Sequence, residues 1–366
     1  MHSVLFIVDH LDTGGAPAVI RRLCWAFFRL SVPVTLVALS DRVSGSFPDE
    51  TRIFALPMGY KGAYAKWRRH SRHAELLDEH LAREGVEATL VVSHLNYSHK
   101  VVSRSSLSAV AWYCLHSDPA RELVGNKSGW RKKKKSRDVR RLYNGKKVLG
   151  VSDGIIESLE NLFSVEPARR LAVHNPVELA SVREFSECFV DDVPPEYVLF
   201  VGRLEQRSKR FDRLLNAYHY SELDIPLVII GEGGAKSFIE EEVDRLELRG
   251  SVILLGHRDN PYPYMAKARA LVLSSDYEGF SLVLAEALAC GTPVASVDCC
   301  SGPREILVQE FAEYLAPLDD GLALGGALKR VVEDMPDVPD AFVDRFDSEA
   351  VAKRYLSLEH DALTDA

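Results

Sequence analysis

Asp276-Tyr-Glu278-Gly-Phe-Ser-Leu-Val-Leu-Ala-Glu286 reads as the join between a strand and a helix. The apolar run Ala270-Leu-Val-Leu-Ser274 leads in, and a helix pattern from Ser281 leads out and stops at Cys290-Gly291-Thr-Pro293. The first backbone N–H groups of such a helix have no internal partner, so they attract an anion. Glu278 precedes them and Glu286 lies about two turns along. The stretch suits a phosphate seated around Gly279, Phe280, Ser281 and Leu282. Each carboxylate is then placed to accept hydrogen bonds from sugar hydroxyls.

The same alternation of strand and helix runs through the chain, which is the pattern of parallel α/β sheets. One series of strands is expected at 4–8, 34–39, 89–93, 109–115 and 147–151. A helix is expected over 17–30, with Pro17 in the first turn, where a missing N–H costs little. A second series is expected at 197–201, 227–230, 252–255, 270–273 and 293–297. Between the series lies Phe189-Val-Asp-Asp-Val-Pro-Pro-Glu196, acidic and proline-bearing, which reads as a linker. The expected division is 1–188 and 189–345, two doubly wound Rossmann-like domains, followed by 346–366, helical over 348–363. Ligands of open α/β sheets bind beyond the carboxyl ends of the strands, so two facing sheets would share one cleft.

The 366 residues are 46% hydrophobic and 27% charged, a composition that builds real cores. No apolar run approaches a membrane span, and Val4–Val8 is too short for a signal-peptide core. The six cysteines form no C-x-x-C pair or metal spacing and are expected as buried or half-buried free thiols in a reducing cytoplasm. The net charge of −8 is uneven: Lys127–Lys147 holds eleven Lys or Arg against one acid, Asp138. The contrast points to a local anionic partner, and the overall acidity argues against nucleic-acid binding. Two stretches mix cations with aromatics. The first contains Lys66, Trp67, Arg68 and Arg69; the second contains Trp130, Arg131, Lys132, Lys133, Lys134 and Lys135. Such mixtures suit an anionic bilayer interface or a lipid-diphosphate acceptor, although most charge runs are solvated helix faces.

Several further motifs follow expected strands. Gly14 and Gly15 precede the first helix and let backbone approach a phosphate or carboxylate. His116 ends a strand, and Asp118 after it is as readily a turn former. Arg203 leaves the strand 197–201, and Lys209 follows six residues later. Arginine grips phosphate oxygens in a fork and lysine adds a compact charge, which a leaving diphosphate needs where no metal supplies it. Gly231-Glu-Gly-Gly234-Ala-Lys236 lacks the spacing of a P-loop, and no G-x-G-x-x-G follows the first strand. His257 and Arg258 follow the strand 252–255, and Ser301-Gly-Pro-Arg-Glu305 follows 293–297.

Together these residues resemble the active-site set of retaining glycosyltransferases of the GT-B fold, family 4 (glycosyl transferases group 1), and in particular those of bacterial surface-polysaccharide pathways. The carriers are the E-x7-E pair Glu278 and Glu286, G-R-x5-K at Gly202, Arg203 and Lys209, the Gly14-Gly15 loop and His116. Two positions depart from the pattern: Pro17 replaces an acidic residue and Arg210 replaces a glycine. The resemblance implies that 1–188 is the acceptor side, 189–345 binds the nucleotide sugar, and the last helix packs back on the first domain. It implies a nucleotide-sugar donor, with a UDP-sugar as the first choice, a glycan or lipid-diphosphate-linked acceptor, retention of anomeric configuration, and no metal or other cofactor. It gives His116 and Glu278 to the donor sugar, Arg203 and Lys209 to the diphosphate, and Glu286 to the ribose. Gly231 is placed facing the nucleotide, and His257 and Arg258 bordering the base. A cytoplasmic location, peripheral on the inner face of the plasma membrane, goes with that setting. The competing reading is a GT-B-like subunit that binds sugar nucleotide without transferring sugar; the complete set of charged positions argues against it.

Overall fold

The structure, a computed structural model, describes residues 2–12, 14–59, 63–125, 128–299 and 301–360, without the side chains of 63–66 and 360. The chain divides into two compact units, 1–176 with 348–366, and 177–347.

The first unit is built on a seven-stranded, wholly parallel sheet. Its strands are β1 (Val4–Val8), β2 (Val34–Ala38), β3 (Arg52–Ala55), β4 (Leu90–His94), β5 (Trp112–Leu115), β6 (Lys147–Gly150) and β7 (Arg169–Ala172), in the order β3-β2-β1-β4-β5-β6-β7. All five residues of β1 are buried, as a central parallel strand covered on both faces requires. Helix Gly15–Arg29 buries Val19, Ile20, Leu23, Cys24 and Phe27 along one stripe, and Gly14, at φ 122°, lets the chain turn into it. Helix Ser348–His360 belongs to this unit: Arg29 donates to Ser348 Oγ (2.7 Å) and Glu349 Oε1 (3.0 Å). Tyr355 lies buried with its ring edge-on to Phe6.

The second unit carries a six-stranded parallel sheet: β8 (Val198–Val201), β9 (Leu227–Ile230), β10 (Val252–Gly256), β11 (Ala270–Leu273), β12 (Val294–Asp298) and β13 (Leu315–Pro317). The order β10-β9-β8-β11-β12-β13 reverses direction between β8 and β11, as that of the first sheet does between β1 and β4. Such reversals are where open α/β sheets bind ligands.

The expected strand over 109–115 begins only at Trp112, because a 3₁₀ turn, Ser106–Ala109, capped by the Ser105 hydroxyl, uses the preceding residues. Three strands escaped the sequence reading, β3, β7 and β13, all at sheet edges. The segment 189–196, expected as a linker, is fastened to the second unit. Asp192 pairs with Arg258, Val190 O accepts from Lys267, and that ammonium lies over the Phe189 ring. The first unit ends earlier, at Pro176.

Loops after β8 and β9 pass in direct backbone contact. Gly202 N–H donates to Ile230 O, Leu204 N–H to Glu232 O, and Ala235 N–H to Leu204 O. A Cβ on Gly231, whose φ is +145°, would fall 1.9 Å from Gly202 O. Gly231→Ala is therefore expected to destabilise the second unit by about 3 kcal/mol or more, read as a fall in the denaturant midpoint.

Candidate active site

The Gln206–Lys209 turn after β8 is stitched to the turn after β11 at the reversal point of the second sheet. Asp276 N–H donates to Ser208 O (2.8 Å), and Ser274 Oγ donates to Lys209 O (2.7 Å). Lys209 Nζ then reaches Glu278 Oε1 at 2.6 Å, with both side chains largely buried. A Cβ on Gly202 would lie 3.6 Å from Lys209 Cε, so the lysine stem runs beside the Gly202 backbone. Ser301 Oγ donates to Glu278 O, and Gly302 sits so close to Phe280 that a Cβ would meet Phe280 O at 2.6 Å. Gly231, Gly202, Lys209, Glu278 and Ser301 thus form one continuous set of contacts.

Beneath that set lies a charged web that sequence reading did not assign. Arg213 is 5% exposed and donates to Ser274 O (2.8 Å), Asp276 Oδ1 (2.9 Å) and Asp319 Oδ1 (3.3 Å). Arg210 also donates to Asp276 (2.9 Å) and grips Asp212 with Nε and Nη2. Arg210 has φ 52° and ψ 63°, the left-handed region, which accounts for a glycine at this position in the resembled pattern. Here the arginine accepts the strain, and its carboxylate partners offset it. The bonded carboxylates raise the Arg210 pKa, Asp212 first. Sequence alone carried one hint, the run Arg210-Phe-Asp212-Arg213.

Arg203 is exposed and forms no ion pair among the described residues. With Gly202, Gly231, Glu232, His257 and Arg258 it lines a pocket of about 350 Å³. His257 is exposed beside Asp259 (3.2 Å). Arg258 is more committed than expected. It donates to Asp192 (2.7 Å), Tyr264 Oη (3.1 Å) and Leu255 O (2.7 Å), which leaves it mainly a brace for the pocket wall. The helix Leu282–Ala289 starts at Ser281, whose φ is +73° and whose buried hydroxyl has no partner among the described residues. Phe280 is buried against Phe346. Glu286 lies on that helix with Tyr262 Oη 3.5 Å away, on a second helix, Tyr262–Lys267.

In the first unit, Gly14 heads the helix after β1, and a Cβ on Gly15 would meet nothing within 4 Å. Asp12 before them is held by Arg42 (2.7 Å). His116 follows β5 and bonds His94 Nδ1 through Nε2 at 2.9 Å. Burial lowers the His116 pKa to about 4, so the imidazole is neutral at pH 7. Asp118 is a turn former: Oδ1 accepts from Ala120 N–H and Ser158 Oγ. Asp9, which the sequence reading passed over, follows β1 and accepts from the N–H groups of Tyr97 (3.1 Å) and Ser98 (2.6 Å) at a helix start. Burial raises its pKa to about 6. Cys114 lies on β5 next to His94 of β4, so its sulfur and both imidazoles fall within 4.8 Å. Spacing in the chain could not show that grouping, and burial pushes the thiol up to about 12.

Of the basic stretches, Lys66 has a side chain outside the described residues. Trp67 and Trp130 are exposed at 77% and 69%. Arg68 reaches Glu75 (3.6 Å), Arg69 lies over Tyr97, and Arg131 lies over Trp130. Lys132, Lys133 and Lys134 are exposed on helix Gly129–Tyr143 and Lys135 is half-buried. Among the described residues no helix is long and apolar enough to cross a membrane. Cysteines 24, 114 and 299 are buried and Cys290 is half-buried, whereas Cys188 is exposed, contrary to expectation, in the polar stretch after helix Leu179–Ser186. Cys300 lies outside the described residues.

Two parallel α/β sheets with these reversal points make the fold that of the GT-B glycosyltransferases. Among solved structures it is similar to a lipopolysaccharide outer core galactosyltransferase (TM-score 0.73, 20% identity, 99% of this chain and 100% of that one). It is also similar to a sucrose-phosphate synthase of Thermosynechococcus elongatus (TM-score 0.74, 19% identity, 100% of both chains). Residues 184–346, all within the second unit, match the family model "Glycosyl transferases group 1". A Campylobacter jejuni relative, N-acetylgalactosamine-N,N'-diacetylbacillosaminyl-diphospho-undecaprenol 4-alpha-N-acetylgalactosaminyltransferase, is 32% identical over 59% of this chain and 58% of its own length. The lipopolysaccharide 1,6-galactosyltransferase of Escherichia coli is 28% identical over 46% of this chain and 47% of its own. The chain thus matches about half of the length of these relatives.

Asp276→Ala would leave the buried Arg213 guanidinium without its main carboxylate. The second unit should lose about 3 kcal/mol, measured by denaturant unfolding; a neutral change would show that water or Asp319 suffices. The first unit carries a pH dependence. Burial lowers the pKa of His94, His99 and His116, so each binds a proton more readily unfolded. Their contribution is present above the ordinary value of 6.5 and is lost as pH falls toward about 4. Asp9 and Glu122, raised by burial, act in the opposite sense below pH 6 but are fewer. The Tm should therefore fall from pH 6.5 to 4.5; a flat profile would show that these imidazoles ionise freely in the folded state.

Proposed function

We propose that the chain transfers a sugar from a nucleotide-sugar donor, a UDP-sugar, to a glycan or lipid-linked acceptor in bacterial surface-polysaccharide biosynthesis, with retention at the anomeric carbon. The observation that carries this reading is the Lys209–Glu278 pair beside the Gly202 backbone, at the reversal of the second sheet, with unpaired Arg203 on the adjoining pocket. A departing diphosphate requires positive charge, and Arg203 and Lys209 supply it from two directions. The unpartnered Ser281 hydroxyl and the first amides of the Leu282–Ala289 helix add donors.

In this reading Glu278 has two uses. It holds Lys209 in place, and its second oxygen accepts from donor-sugar hydroxyls. Glu286 accepts from the ribose, with Tyr262 beside it. The acceptor attacks from the face that the diphosphate leaves, and a phosphate oxygen takes the acceptor's proton, so no protein nucleophile is needed. His116, neutral at pH 7, offers the first unit a hydrogen-bonding group without charge. The family match over 184–346 and the relatives named for lipopolysaccharide and diphospho-undecaprenol acceptors support the acceptor class. The exposed Trp67 and Trp130 among cations support contact with an anionic membrane.

Arg203→Ala and Lys209→Ala should each lower turnover about 100-fold, equivalent to about 3 kcal/mol, with folding retained. Glu286→Ala should weaken UDP binding in calorimetry. Turnover that persists in both cation variants would remove the diphosphate assignment. Turnover that survives chelation, with the product's anomeric configuration read by NMR, tests metal independence and retention together.

A further inference from the structure

A second cavity, of about 520 Å³, lies wholly within the first unit. Lys100, Arg104, Lys135, Arg141 and Lys146 line it, against one carboxylate, Asp138. They come from separate places: the helix Asn96–Val102 and the turn after it, the helix Gly129–Tyr143, and the residue before β6. None of these five cations forms an ion pair among the described residues. Several are held instead by neutral groups. Lys146 donates to Ser108 Oγ (2.6 Å) and Ser108 O (3.1 Å), Arg104 to Lys100 O (2.6 Å), and Lys100 to Asn96 Oδ1.

Crowded like charges repel, and the repulsion registers here. Burial, then Lys135 and Arg69, lowers the Lys100 pKa. Burial, then Arg141, lowers that of Arg104. His70, also on the cavity wall, is brought down to about 4 by burial and by Arg69, Arg104 and Lys100, so it adds hydrogen-bonding capacity without charge. A solvated charge run spreads over one helix face; these groups converge on one concavity and have neutral anchors. A multiply charged anion relieves the repulsion in a way that water does not.

The cavity's place separates it from sugar transfer. Ser108 and Lys146 precede β5 and β6, at the amino ends of those strands, whereas Asp9 and His116 follow β1 and β5 at the carboxyl edge. Exposed Trp67 and Trp130 stand on the two long helices that supply His70, Lys135 and Arg141. We infer that this cavity is a binding site for a diphosphate-like anion, through which the first unit takes hold of phosphate groups away from the transfer site.

The test uses the whole chain, inorganic pyrophosphate as probe, and the variant Arg104→Gln/Arg141→Gln. Calorimetry should show pyrophosphate affinity reduced about tenfold or more in the variant. The same site should persist in Arg203→Ala, which reports on the nucleotide site separately. UDP affinity in the Arg104→Gln/Arg141→Gln protein should be unchanged, so failure here leaves the proposed function standing. Without ligand, its Tm should equal or exceed that of the parent chain, because repulsion is relieved, while pyrophosphate should no longer raise it. A lowered Tm with an intact pyrophosphate response would mean that the arginines are structural, and unchanged affinity would overturn the site outright. Vesicles of phosphatidylcholine with and without phosphatidylglycerol separate the sources. Loss of binding to the anionic vesicles assigns a membrane headgroup; loss for free pyrophosphate alone assigns a soluble anion.

Discussion

Arg213 and Asp276 hold the second unit's chemistry in place. A buried guanidinium is tolerated only when its charge and donors are satisfied, and Asp276 satisfies it from the turn after β11. The same carboxylate takes Arg210, and the Asp276 amide takes Ser208 O, so two turns from neighbouring strands are fixed as one body. Lys209 and Glu278 meet at 2.6 Å because the backbones on either side of them are already stitched. Positioning of this kind lets electrostatic catalysis proceed without reorganisation when charge develops.

The two units use titratable groups differently. In the second, Arg210 is joined in ion pairs to Asp212 and Asp276. In the first, His94 and His99 are buried, His116 is half-buried and all three are kept neutral, joined to one another or to neutral partners such as Tyr143 Oη and Ser93 O. Neutral imidazoles offer hydrogen-bond donors and acceptors at no Coulombic cost. Positive charge in that unit gathers elsewhere, around Lys100 and Arg141.

Central strands were legible in the sequence because burial on both faces forces continuous apolar runs, as in Val4–Val8 and Ala270–Leu273. The strands that were missed, β3, β7 and β13, sit at edges, where one side needs no partner and residues such as Arg52 and Arg169 are allowed. Glu278, Lys209 and Arg203 could be read because each follows a strand at a spacing set by local geometry. Arg213 and Asp9 could not, since their partners come from distant strands that only folding brings near. The segment 189–196 misled because proline and acid mark linkers, whereas here Asp192 is the counter-ion of Arg258. In the same way, the glycine absent at 210 had no visible meaning until the left-handed backbone there was seen.

The chain leaves the first unit at Pro176 and re-enters it at Ser348. Tyr355 fills space beside Phe6, Glu359 binds the Thr89 hydroxyl at 2.6 Å, and Arg29 waits for Ser348 and Glu349. During synthesis, then, the part made first is finished last. The intervening stretch is a compact unit of its own, while Phe6, Thr89 and Arg29 stand without their partners on the helix Ser348–His360 until it is made. In that interval the first unit lacks the packing that this helix supplies, and incomplete units of this kind are the ones exposed to misassociation.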